Sequence, residues 1–213
     1  MGSYLSDRWP QILSASWQHF SLVAQCLLLA TVIAIFIAAL CYRSKTLSGV
    51  ANSVSAVGLT IPSFALIGLM IAPLGFGVAP AVVVLTFYCL LPILRNALVG
   101  LAGVDRSLIE AARGIGMSSM ETFFKVELPM AWPVILAGMR VSAQMTMGVA
   151  AISAYVLGPG LGSFIFSGLS RLGGANSFES VVTAVVAVVV IALILDGLLL
   201  LLGRLTISRG IRA

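Results

Sequence analysis

Few side chains in this sequence could do chemistry, and their positions narrow what that chemistry is. His19 is the single histidine. A zinc-protease helix needs two histidines four residues apart, so that site is excluded, and a Ser–His dyad would have to use His19. A lone histidine at the end of an apolar run is ordinarily structural. No G-x-x-x-x-G-K-[ST] loop occurs, so the chain carries no phosphate cradle and is not expected to hydrolyse ATP itself. The three cysteines, Cys26, Cys41 and Cys89, are odd in number and lie in or beside apolar runs. They read as small buried hydrophobes rather than as a disulfide or metal site. The expected catalytic residues are therefore none, and the expected metal ligands none.

The polar segment from about 95 to 130 carries more information. It contains VDRSLIEAARGIGMSSMETFFKVELP. Ser107 and Glu110 have capping-box spacing, and so do Ser118 and Glu121. Gly114 and Gly116 fall where a helix stop is expected. Pro129 is expected to end the second helix. The pattern is two short helices joined by glycines. Met120, Phe123, Phe124 and Leu128 recur at helical spacing on the second and form an apolar stripe. Either the protein's own helices or the membrane surface cover that stripe, or it is a docking surface for a partner.

Polar residues also stand inside long apolar runs. Ser142, Thr146 and Ser153 follow i, i+4, i+11, and Asn52, Ser55 and Ser63 follow i, i+3, i+11. Each trio falls near one helix face. They line a pore, or they are small residues packing helix on helix. Arg140 and Asp196 each lie about eight residues from the same end of their runs, which at 1.5 Å per residue gives similar depth. Charges at membrane depth usually pair or face water, so an ion pair is expected. The alternative is that Arg140 snorkels and Asp196 meets backbone or water.

The elements that must position these residues follow from composition. The 213 residues are 60% hydrophobic and only 9% charged, with mean hydropathy +1.13. A soluble domain carries roughly 25% charged residues. This chain has too few charges to coat a water-facing surface, so it is an all-α membrane protein. A span needs about 20 apolar residues. Five spans are predicted, at about 21–42, 48–72, 78–94, 131–157 and 181–202. Pro73, Gly75, Gly77 and Pro80 supply the turn between the second and third. A short apolar helix near 163–172 is flanked by glycines and is too short to cross. The first span is too long for a signal-peptide core, and Asp7 precedes it.

The charge of +5 reads as membrane orientation, since no clustered basic face for nucleic acid is seen. With the N-terminus outside, the inner segments hold Arg43, Lys45, Arg95, Arg106, Arg113, Lys125, Arg204, Arg209 and Arg212. The outer segments hold Arg8 and Arg171. The positive-inside rule therefore predicts N-out, C-in. Trp9, Trp17 and Trp132 fall near interfaces, and the segment with Trp9 and Trp17 is expected along the outer surface. No repeat or low-complexity tail breaks the chain, so 1–213 reads as one domain.

Glu110-Ala111-Ala112, then Gly116, then Val126, Leu128 and Pro129 match the spaced EAA…G…I-LP loop of binding-protein-dependent ABC importer permeases. Val126 stands where isoleucine is usual. The segments TIPSFALIGLMIAPLGFG, LLPILRNALVGLAGVDRSLIEAARGIGM, VELPMAWPVILAGMR and LGPGLGSFIFSGL extend the match over nearly the whole chain. In them the sequence resembles the osmoprotectant branch of that family. One departure is Gly158-Pro159-Gly160-Leu161-Gly162, where a Gly-Ala-Gly-Gly-Leu-Gly type segment is expected.

The resemblance implies a MetI-like permease fold with a cytoplasmic two-helix coupling loop at about 105–129. It implies a pathway for glycine betaine, choline or carnitine, with ATP and Mg bound by a partner ATPase dimer. Glu110, Ala111, Ala112, Gly116, Leu128 and Pro129 would couple to that ATPase: small alanines allow close approach, the carboxylate meets basic or hydroxyl groups, and the glycine bends. A second permease subunit, identical or related, and a secreted or lipid-anchored binding protein are the other implied partners. The implied location is a bacterial or archaeal cytoplasmic membrane. A related importer of another small solute, or an intramembrane enzyme, are the alternatives. The residues do not choose among osmolytes or between homodimer and heterodimer.

Overall fold

The computed structural model describes residues 2–207, and all of its regular structure is helical. Arg209 and Arg212, assigned above to the inner side, lie outside the described residues. Helices suit lipid because each satisfies its own backbone N–H and C=O groups. The first helix, α1, spans Gly2–Cys41. It is followed by α2 (Lys45–Gly58), α3 (Ser63–Leu74) and α4 (Val78–Ala102). The polar loop holds α5 (Arg106–Gly114) and α6 (Ser119–Thr122), and a π-helical turn over Phe123–Glu127 leads into α7 (Leu128–Ile152). A 3₁₀ turn over Ser153–Val156 follows, then α8 (Gly162–Leu169) and α9 (Ser177–Thr206).

Four of these stretches are each long and apolar enough to cross a bilayer, and the bent pair α2–α3 is the fifth candidate. The chain α6–π–α7 counts as one of the four. The five expected spans thus correspond to four continuous stretches and one bent pair, with differences in detail. The second span is broken rather than continuous: α2 and α3 meet at 96°. The cause is Pro62, which lacks an N–H and disfavours helical backbone at Ile61. The hydroxyl of Tyr88 donates to the freed carbonyl of Ile61. The first helix also begins earlier than expected. Its N-terminal half is continuous with the span as one helix and packs on the bundle, with Tyr4, Ile12 and Ala15 buried. Forty residues of helix reach about 60 Å, roughly twice the hydrocarbon thickness. The short helix expected near 163–172 is α8.

Pro129 does not end a helix. It sits in the first turn of α7, a position that tolerates proline. The wider π turn before it, closed by Leu128 N–H to Phe123 C=O, absorbs the disturbance of the missing donor.

The core forms around α4, which packs between α1 and α7. On α1, Cys26, Ala30, Ala34 and Ala38 recur every four residues and are essentially inaccessible. Such a small-residue stripe lets helices approach closely without a hydrophobic driving force. On the α4–α7 contact, a Cβ on Gly138 would lie 2.7 Å from Asn96 Cβ, so nothing larger than glycine fits. The last helix, α9, buries a single stripe including Ala184, Ile191, Leu195 and Leu199. Its remaining apolar face is open, as a lipid-facing surface must be.

Candidate functional site

The polar loop folds at one end of the bundle as two short helices. Asp105, not Ser107, caps α5: its carboxylate accepts the Ser107 N–H at 2.9 Å. That bond holds the Asp105 carboxyl below the usual carboxylate range. The capping box at Ser118 and Glu121 forms, with the Ser118 N–H donating to Glu121 at 3.0 Å and the Glu121 N–H to Ser118 Oγ at 3.3 Å. Gly116 lies between the helices with φ of +89°, a left-handed conformation open to glycine at little cost.

Glu110, Ala111 and Gly116 are exposed, as is Pro129, while Leu128 is half-buried. Ala112 differs, for it is buried within this chain. The two alanines therefore face different ways, one outward and one onto the protein's own core. The apolar stripe divides similarly. Phe123 turns inward with its ring 6.3 Å from that of Tyr42, whereas Met120 and Phe124 point out and are more than half exposed.

Glu127 was not singled out from the sequence, and no spacing signal marks it. The turn after α1 covers it: its carboxylate accepts from the Tyr42 hydroxyl and from Arg43 Nη2 at 3.1 Å. No other Asp, Glu, Lys or Arg among the described residues is buried. Stranding a buried carboxylate by removing its partners costs about 3–5 kcal/mol.

Inside the spans, the α7 polar residues face α4 and neighbouring turns. Ser142 donates to the Cys89 carbonyl at 2.8 Å, Thr146 to the Ser142 carbonyl at 2.6 Å, and Ser153 to the Ala150 carbonyl at 2.7 Å. All three are fully buried. Only the Ser142 bond crosses to another helix; the other two return to the preceding turn of their own segment. An interhelical bond such as that of Ser142 contributes about 0.6 kcal/mol. The α2 trio does not share one face, because the bend moves Ser63 onto α3. Asn52 Oδ1 and Ser55 Oγ are buried and have no hydrogen-bond partner within the chain.

Arg140 and Asp196 meet. Nε and Nη2 of the guanidinium donate to the two carboxylate oxygens at 2.8 and 2.9 Å, and Gln144 adds a contact at 3.4 Å. His19 is buried with Nε2 3.1 Å from the Met147 carbonyl. A Cβ on Gly160, whose φ is +117°, would come within 2.8 Å of His19 Nδ1. His19 thus braces the glycine-rich turn after α7. Among the described residues no cluster of His, Cys, Asp and Glu could hold a metal.

A helical bundle with a broken second span and an exposed two-helix loop at one end defines a membrane permease architecture. Residues 30–207 match the family described as binding-protein-dependent transport system inner membrane component, and the chain belongs to it. It is similar to the osmoprotectant import permease protein OsmW of Salmonella typhimurium, 37% identical over 98% of each chain. It is also similar to the choline transport system permease protein OpuBB of Bacillus subtilis, 32% identical over 98% of this chain and 94% of that one. The carnitine transport permease protein OpuCB of Listeria monocytogenes is 36% identical over 81% of this chain and 82% of its own length. The fold matches a chain of the MetNI methionine ABC transporter in an inward-facing conformation, with a TM-score of 0.70 at 22% identity, covering 95% and 96% of the two chains. The chain is a transport subunit of the inner membrane, and ATP hydrolysis belongs to a partner chain.

Proposed function

We propose that this chain forms the translocation pathway of an ATP-driven importer for a quaternary-amine osmoprotectant such as glycine betaine, choline or carnitine. The observation that carries the transport reading is the loop. Its exposed Glu110-Ala111 lies on α5, and the left-handed Gly116 follows directly after that helix, at one end of the bundle. The substrate class rests on the relatives, whose names report carnitine, choline and osmoprotectant transport.

The loop end faces the cytoplasm, with the N-terminus outside and the C-terminus inside, because Arg43, Lys45, Arg95, Arg106, Arg113 and Lys125 gather there. Residues 1–213 act as one permease domain, paired with a second permease subunit. A dimer of ATPases, loaded with ATP and Mg, docks on Glu110, Ala111, Gly116, Leu128 and Pro129, with Ala112 supporting from behind. Closure of that dimer moves α5 and α6 and tilts the spans. A secreted or lipid-anchored binding protein docks at the opposite end, near 158–180, and delivers the substrate. Along the pathway, Asn52 and Ser55 are better candidates than Ser142, Thr146 or Ser153, because their polar atoms are not satisfied within the chain.

The test is competition. Cells lacking their own osmolyte importers, and supplied with this chain, its ATPase and its binding protein, should take up at least one of labelled glycine betaine, choline and carnitine. Excess of the same unlabelled osmolyte should suppress that uptake, and excess methionine should not. Suppression by methionine alone would assign the pathway to another class of solute.

A further inference from the structure

The carboxylate of Glu127 has a side-chain exposure of 1%, so it has no water to lean on. Its neighbours instead come from the turn after α1. The Tyr42 hydroxyl donates to Oε2, Arg43 Nη2 donates to Oε1 at 3.1 Å, and Arg43 Nε–H donates to the Tyr42 oxygen at 2.6 Å. The guanidinium carbon lies 5.1 Å from the centre of the Tyr42 ring, and that ring packs on Phe123. Glu127 and Phe123 are the two ends of the π turn. One side of this turn is α6, capped by Ser118 and Glu121, and the other is the long helix α7.

A π turn is a weak place in a helix, with one residue more per turn, and such turns collect at functional positions. It is a joint at which a helix can change register. Here the two ends of the joint are gripped by consecutive residues of the turn that follows α1. We infer that Tyr42, Arg43 and Glu127 form a transmission clamp, which makes displacement of the two loop helices move α1 together with α7. Glu127 is thus a positioning residue for coupling, not a contact for ATPase or substrate. The inference rests on the reading of the loop as the ATPase dock.

The expected behaviour separates the clamp from the dock. Tyr42→Phe removes the hydroxyl that bridges Arg43 and Glu127, Arg43→Met removes the charge, and Glu127→Gln keeps the shape while losing the ionic acceptor. Each variant is reconstituted with the ATPase and the binding protein. Uptake is measured with whichever of glycine betaine, choline or carnitine the wild-type complex moves, beside ATP hydrolysis and the amount of assembled complex. The clamp predicts complexes that assemble and hydrolyse ATP but whose transport per ATP falls by about tenfold. A purely structural role would lower the yield of complex and leave transport per ATP unchanged, and that result in any two of the variants would overturn the clamp. If Glu110→Lys left co-purification of the ATPase intact, the dock would fail first and the clamp with it. If Glu110→Lys abolished docking while the three variants kept the wild-type ratio, the clamp alone would fail.

Discussion

The guanidinium of Arg140 on α7 grips the carboxylate of Asp196 on α9 through two parallel hydrogen bonds of 2.8 and 2.9 Å. Such a fork-to-fork pair has fixed geometry as well as charge. It joins the helix after the polar loop to α9, the span least buried within this chain. Removing one partner leaves a lone charge at membrane depth. Arg140→Gln and Asp196→Asn should therefore each destabilise the protein, and the double variant should recover part of the loss. A double-mutant cycle on thermal stability in detergent should give a coupling of about 1–3 kcal/mol. Independent, additive effects would mean that the two charges are held by other groups.

That pair was legible from the sequence because depth counting uses only the rise per residue and the ends of two apolar runs. The capping box at Ser118 was legible for a similar reason, since it is wholly local. Asp105 and Ser107 compete for the same role two residues apart, and spacing alone favours the wrong one. The break at Pro62 was masked by the absence of any charge between Lys45 and Arg95, which reads as two plain spans. Glu127 was illegible because a glutamate two residues from Lys125 looks solvated. Only the return of α1 beside the π turn buries it, and no periodicity encodes that meeting. The polar trio on α7 had the right period for one face, but period does not say whether the face meets water or Cys89.

Topology gives the next expectation. In a background without Cys26, Cys41 and Cys89, the variant Arg171→Cys should react with an impermeant thiol reagent added outside intact cells. The variant Arg113→Cys should react only after permeabilisation. Both side chains are exposed, so access is decided by the side of the membrane. The reverse labelling pattern would turn the proposed orientation over.

Gly116 should be the most sensitive position of the loop. Its φ of +89° has open space around it, so valine there would not clash but would be strained by about 1–3 kcal/mol. Gly116→Val should reorient α5 against α6 and impair ATPase docking or ATP-driven transport. Glu110→Lys should do the same by reversing an exposed charge. Membrane insertion of both variants should be normal, because the apolar runs are untouched. Full transport by both would remove the coupling role of this loop.

Selectivity should reside elsewhere. The purified chain without partners should bind glycine betaine, choline or carnitine weakly, because tight binding in a pathway would slow release. Isothermal titration should show no micromolar site. A micromolar site on the permease alone would place specificity in this subunit.

The account as a whole is tested most directly by counter-gradient uptake into proteoliposomes that carry this chain and its partner permease. The ATPase and ATP are on the loop side of the membrane, and the binding protein is on the other side. Labelled glycine betaine, choline or carnitine should accumulate above the external concentration only when ATP, the ATPase and the binding protein are all present. Accumulation of none of the three by a complex that assembles and hydrolyses ATP, or accumulation that persists without the ATPase, would contradict it.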